Sequence, residues 1–259
     1  METITLPASG GILAQCPICH GDFEPVHLNR YSRLIGRCRS CGHHFVVNPW
    51  TEEEVAEFYQ GFSYFSKNFN HQGIHSVSQD TEWEAWVGHR ITTLERCCLP
   101  ALPNRPLDIL EQGCLEGRVL NALAKRGHQV TGCDVNASVA EAGRNCFGID
   151  IREGTIETCA FTPKAFDLVY SFHTLEHLRD PVRNLAATKA LLRPGGMVFF
   201  EVPLNETDYE NRDHLHFFSE ASIARVMKAV FRDFEHQCSR FETEGGRVTE
   251  SILVWAQKR

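Results

Sequence analysis

LDILEQGCLEGRVLNALAKRGHQVTGCD, residues Leu107 to Asp134, decides the fold. It opens with an apolar strand, passes through a turn carrying Gly113 and Gly117, continues as a helix and a second short strand, and stops on an acid. Strand, glycine turn, helix, strand and acid in that order build a nucleotide-type site. The glycines let a ligand approach the backbone, and the acid can bind ribose hydroxyls. The spacing is Gly-x-x-x-Gly, however, and Leu115 stands where a dinucleotide fingerprint would carry a middle glycine.

Downstream of this stretch the pattern repeats. A helix is expected over 138–146, a short strand over 149–152 and a buried strand over Phe166–Ser171 (FDLVYS). Next come a helix over 182–192, the turn Arg193-Pro-Gly-Gly196, a fifth strand Met197–Val202, and a helix begun by Ser219 as N-cap. Two strand-like runs, 234–241 and 248–256, close the chain around Glu244-Gly-Gly-Arg247. Strands alternating with helices predict an α/β, doubly wound sheet of seven strands, mostly parallel, with an antiparallel addition at the end.

Upstream, Cys16-Pro-Ile-Cys19 and Cys38-Arg-Ser-Cys41 form two C-x-x-C pairs. Two such turns bring four thiolates to one tetrahedral Zn²⁺, and a site closed by four thiolates is structural rather than catalytic. The module over 12–47 is too small to bury a core of its own, so the metal would supply much of its folding energy. Residues 48–104 form a connector. Thr51 with Glu54 starts a short helix, the aromatic run 61–80 is expected to cover the active site, and Trp83, Trp86, Val87, Ile91 and Leu94 mark a second helix. The main domain is expected over 105–259.

The apolar share of 42%, the charged share of 23% and a net charge of −7 describe an ordinary globular chain. The acidic balance argues against broad nucleic-acid binding. No basic-apolar leader and no run of about 20 apolar residues occurs, which sets the expectation of a cytoplasmic protein without a membrane span. The seven cysteines outside the two pairs are expected to be buried free thiols in a reducing compartment.

EQGCLEG after strand one, Asp134, FDLVYSFHTLEHL and LLRPGGMVFFEVP together resemble the class I S-adenosylmethionine-dependent methyltransferases over about residues 105–256. The cysteine-rich head followed by Asn48-Pro-Trp resembles a subgroup with an N-terminal zinc-ribbon-like module. The resemblance implies that S-adenosyl-L-methionine and Zn²⁺ are the cofactors. It implies that Glu111 and Gly113 lie by the amino-acid end of the methyl donor, that Gly117 opens the helix, and that Cys114 and Gly117 belong with them to the cofactor-binding set. Asp134 and Val135 would lie by the ribose, Thr155, Ile156 and Glu157 by the adenine, and Ser171 and Phe172 near the reacting methyl group. Cys16, Cys19, Cys38 and Cys41 would hold the zinc. Methyl transfer needs positioning and, for some acceptors, a base, for which His173, His214 and His216 are the candidates. Glu206, Tyr209 and Phe217 would line the same pocket. The activity so implied is O-, N- or C-methylation of a small molecule. Two alternatives stand beside it. One is an RNA methyltransferase whose ribbon binds nucleic acid through Arg30, Arg33, Arg37 and Arg39. The other is a degenerate, non-catalytic domain binding a partner, for which Leu115 is the main support. A second copy of the chain or a carrier protein is the other partner considered.

Overall fold

A computed structural model describes residues 11–60, 80–204, 206–242, 246 and 248–259. Most of the expected aromatic cover, 61–79, and most of the last turn lie outside the described residues.

Three strands form the N-terminal module: β1 (Phe23–Leu28), β2 (Leu34–Cys38) and β3 (His44–Val46). Two helices follow, α1 (Glu52–Gln60) and α2 (Asp80–Cys97). The main domain then runs β4 (Asp108–Gln112), α3 (Arg118–Ala124), β5 (Gln129–Asp134), α4 (Ala137–Phe147), β6 (Asp150–Glu153), β7 (Phe166–Phe172), α5 (Pro181–Leu191) and β8 (Leu192–Pro203). It ends with β9 (His216–Phe217), α6 (Glu220–Val230), β10 (Glu235–Glu242) and β11 (Val248–Gln257).

Seven strands make the main sheet in the order β10-β11-β8-β7-β4-β5-β6. Strands β4 to β8 are parallel, and β11 runs antiparallel to both β8 and β10, as the alternation predicted. From β4 the chain winds outward through β5 and β6, then returns to place β7 on the other side of β4. That reversal makes a crevice at the strands' carboxyl ends, where ligands bind in sheets of this kind. All seven residues of β7 are buried, because helices cover both faces of a central parallel strand. Helix α2 belongs to this core: its Ile91 and Leu94, with Cys98 after it, pack among Leu107, Ile109 and Leu168.

The Arg-Pro-Gly-Gly turn lies inside β8, at an irregularity between the Phe166–Leu192 and Leu168–Met197 pairs. Arg193 donates to Asp108 and Asp167 at 2.8 and 2.9 Å, and Arg105 adds a two-pronged bond to Asp167. Asp167 also accepts the Asp108 N–H. This clamp ties the starts of β4, β7 and β8 at the end of the sheet opposite the crevice.

The second sheet is shared between the two parts of the chain. Strands β1, β2 and β3 are joined by β9, which comes from the loop after β8. Beside this seam, His43 and His216 bond at 3.0 Å, and His216 Nε2 donates to the Leu178 carbonyl at 2.7 Å. Both imidazoles are buried, which pushes His216 down to about 4 and lowers His43 as well. All eleven cysteines are free. Cys98, Cys114 and Cys133 are buried as expected; Cys146 and Cys238 are exposed instead, at the end of a helix and on an edge strand where no layer covers them.

Candidate active site and metal centres

Gly113 has a positive φ of 67°, and a Cβ there would lie 2.3 Å from Thr174 Oγ1, so the turn after β4 excludes any side chain at this position. Gly117, at φ 81°, is the N-cap of α3. Between them Leu115 adopts φ 50°, the left-handed conformation that a glycine would take more cheaply. Its N–H donates to Asp134 Oδ2 at 2.9 Å, while the Asn136 N–H donates to Oδ1 at 2.9 Å. The leucine main chain therefore makes the tight turn and braces the acid at the tip of β5.

Three buried acids surround this turn: Glu111, Glu116 and Asp134. Burial pushes Glu111 up to about 8, against the pull of Arg90 and the hydrogen bond from Tyr170, and burial also raises Asp134. Glu116 Oε1 accepts from Arg118, but its Oε2 is buried without a hydrogen-bond partner, as are Gln112 Oε1 and Ser171 Oγ. Buried acceptors left unsatisfied are costly, and they suit a ligand that carries cationic and hydroxyl donors. S-adenosylmethionine has both, so these residues fit it.

The remaining residues expected on the cofactor side gather at the same strand ends. Thr155 to Glu157 follow β6, where the Gly154 N–H donates to the Asp134 carbonyl; Ile156 is buried and Glu157 is held by Asn184. The Val135 carbonyl accepts from Gln60, and Asn136 donates to the Tyr59 carbonyl, so the end of α1 lies over the loop after Asp134. Cys114 turns its thiol into the core against Gly132, which leaves its main chain for a ligand. The Phe172 ring packs under the Arg90 guanidinium, 4.6 Å from centroid to Cζ.

On the other side of the crevice a cavity of about 540 Å³ is lined by His173, Leu204, Glu206, Asn211, His214 and Glu250, among others. His173 sits at φ 50° just beyond β7, with Nε2 3.2 Å from Glu201 and Nδ1 3.4 Å from Glu176. Burial works against its charge, but the two carboxylates outweigh it and hold the imidazole at about 9. Ser251 donates to Glu201 at 2.8 Å, and Glu201 is kept at about 2 despite its burial. His214 bonds Glu206 through Nδ1 at 2.5 Å and faces Asn211 through Nε2. His173 and His214 thus share the cavity, whereas His216 is turned to the ribbon side. Glu201 and Ser251 were not singled out from sequence. A lone carboxylate inside the apolar run MVFFEV was the available signal.

The four ribbon sulfurs also converge. Cys16 and Cys41 lie 3.8 Å apart and Cys19 and Cys38 3.4 Å apart, all within 4.8 Å of one another. Tetrahedral zinc with Zn–S bonds of about 2.3 Å sets its sulfurs about 3.8 Å apart, so the donor set fits. The two knuckles match: the His20 N–H bonds the Cys16 carbonyl and the Gly42 N–H that of Cys38, with both residues at positive φ. The ribbon arginines are internally engaged. Arg30 pairs with Glu210, Arg37 and Arg39 face Glu24, and Arg33 donates to the Asn48 carbonyl.

A family model described as a methyltransferase domain matches residues 86–230. A ubiquinone biosynthesis O-methyltransferase of Stutzerimonas stutzeri is 37% identical over 98 residues, 36% of this chain and 42% of that protein. The match thus spans less than half the length of that curated relative. Among solved structures, a SAM-dependent methyltransferase from Archaeoglobus fulgidus aligns over 70% of this chain and 97% of its own, at 14% identity and a TM-score of 0.55. The cyclase SpnF aligns over 68% and 81%, at 15% identity and 0.54. The fold therefore serves more than one reaction. With the family match covering more than half of its length, the chain belongs to the methyltransferase-domain family and has the class I S-adenosylmethionine-dependent methyltransferase fold.

Proposed function

We propose that this chain methylates a hydroxyl of a small polar molecule with S-adenosylmethionine, while one zinc ion on Cys16, Cys19, Cys38 and Cys41 holds the N-terminal module. The observation that carries the reading is the ring of three buried acids around the left-handed turn, set directly beside a polar cavity. The bound cofactor supplies a methyl carbon already activated by positive sulfur. Asp134, fixed by two main-chain N–H groups, accepts from the ribose hydroxyls. Glu111 and Glu116 face the cationic end, and the segment 155–157 flanks the base. The relatives of matching sequence are named as O-methyltransferases, which favours oxygen as the acceptor atom.

On the acceptor side, His173 stands as an imidazolium with both ring nitrogens facing carboxylates, so it lends fixed positive charge beside the acceptor rather than taking its proton. His214, braced by Glu206, is the group that acts on the acceptor hydroxyl. His216 links the ribbon to the loop. Each of the four ribbon arginines has an acidic or carbonyl partner within the chain, which favours the small-molecule reading over the nucleic-acid one.

Calorimetry tests the reading. The protein should bind S-adenosylmethionine, and its demethylated product should compete. Asp134→Ala should weaken that binding about tenfold or more, since each lost charge-assisted hydrogen bond is worth about 1.5–3 kcal/mol. His214→Ala should leave cofactor affinity intact and slow turnover. Absence of binding heat, or full activity in both variants, overturns the assignment.

A further inference from the structure

We infer that Glu176, His177 and His214 form a second metal site, distinct from the ribbon, that takes one first-row divalent cation such as Mn²⁺ or Zn²⁺ beside the acceptor. The inference rests on the function proposed above and names how the acceptor hydroxyl is activated.

Glu176 and His177 belong to the short 3-10 turn Leu175–His177 just beyond β7, and His214 comes from the loop between β8 and β9. One ligand atom from each lies within 4.8 Å of the others. Glu176 is 0% exposed, and neither of its carboxylate oxygens has a hydrogen-bond partner among the described residues. The nearest ring nitrogens are His173 Nδ1 at 3.4 Å and His177 Nε2 at 3.9 Å, both facing Oε1. An acidic group so placed, with Oε1 facing the His173 imidazolium at ion-pair distance and Oε2 unpaired among the described residues, suits a cation that comes closer than these rings do.

The two imidazoles are prepared for one. His177 Nδ1 donates to the Asp213 carbonyl at 3.0 Å, with Tyr59 Oη also near it, which leaves the Nε2 lone pair toward Glu176. His214 Nδ1 donates to Glu206 at 2.5 Å, and its Nε2 accepts from the Asn211 amide at 2.9 Å, so this nitrogen is unprotonated and an ion would take its lone pair in place of that amide. A ring whose far nitrogen is held by a carbonyl or carboxylate is how proteins orient metal-binding histidines.

Two imidazoles and one carboxylate favour a first-row divalent ion over Ca²⁺ or Mg²⁺, which prefer all-oxygen shells. Three protein ligands leave open positions, unlike the closed four-thiolate ribbon. Because His214 and Glu206 line the 540 Å³ cavity, an open position there can take the acceptor's hydroxyl oxygen. Coordination would acidify that hydroxyl, and its proton would leave to solvent. The oxygen would then form its bond to the methyl carbon while the carbon–sulfur bond breaks, with its electron pair going to sulfur.

The test uses full-length protein with the ribbon filled by zinc. Mn²⁺ is titrated in, and free Mn²⁺ is read by electron paramagnetic resonance, since a hard ion does not displace zinc from four thiolates. Wild type should bind about one Mn²⁺ per chain. Glu176→Gln and His214→Ala should each weaken binding at least tenfold, and Glu206→Gln, which leaves all three ligands in place, should weaken it about 10–100-fold. Zinc content and cofactor affinity check that each variant is folded. Failure to bind Mn²⁺ or any zinc beyond the ribbon ion, or binding unchanged in the Glu176→Gln/His214→Ala double variant, overturns the site. An ion bound here by a chain that does not bind S-adenosylmethionine leaves the site standing and removes the function. Turnover at full rate by a chain holding only the ribbon zinc removes the site and leaves the function standing.

Discussion

Leu115 shows at the scale of one residue how a broken motif can still work. Its left-handed backbone carries a conformational cost of about 1–2 kcal/mol that glycine would not. The return is that its N–H still reaches Asp134. Leu115→Gly should therefore be neutral to stabilising by about 1 kcal/mol and should not weaken cofactor binding, after allowance for glycine's larger unfolded-state entropy. Urea unfolding and calorimetry on the same variant measure both. Leu115→Val should be worse than either, because a β-branched residue resists positive φ. A large loss of affinity in Leu115→Gly would mean that the leucine side chain itself contributes to the site. His173 teaches a related lesson. In sequence it is a histidine at a strand end, eligible as a base. Its two carboxylate neighbours, remote in the chain, are what make it a cation.

Between elements, the clamp of Arg105, Arg193 and Asp167 joins three strands at the end remote from the crevice. Asp167 is buried, which alone would raise its pKa, but the bonds from Arg105, the Asp108 N–H and Arg193 reverse this and hold it below 3.8. A carboxylate depressed on folding stabilises above its unfolded value and ceases to do so as pH falls through its folded one. Wild type should therefore exceed Asp167→Asn in stability by about 1–3 kcal/mol at pH 7, with the gap closing as pH drops below about 4. Cofactor affinity should be equal in the two, since the clamp lies away from the site. Chemical denaturation at the two pH values decides it. The order of elements was legible because apolar runs and helical spacing are local properties: the seven strands of the main sheet and helices α3 to α6 lie within a few residues of their expected places. The Arg-Pro-Gly-Gly motif was legible as a turn, but its arginine's partners at Asp108 and Asp167 were not, because ion pairs across strands leave no periodic trace. Strand β9 was invisible for the same reason. His216-Phe217 is too short to show alternation, and its pairing partner is some 170 residues away.

At the scale of the whole molecule, the ribbon is built into the loop that lines the cavity rather than appended to the main domain. Its sheet is completed by β9, and the His43–His216–Leu178 chain ties it to the turn that carries Glu176 and His177. Under the zinc assignment, stripping that ion should raise amide exchange across residues 16–47 and also across 206–217, while β4, β5 and β7 keep their protection. Cofactor affinity should persist while the Michaelis constant for the acceptor rises. Exchange confined to the ribbon would show that the shared sheet carries no coupling. The shared sheet also changes what counts as a transplantable part of this protein. Moving the 204–218 loop alone into a related scaffold would deliver β9 without the strand it pairs with. The unit that can be exchanged to alter acceptor choice is discontinuous: the N-terminal module and that distant loop, inherited or engineered together.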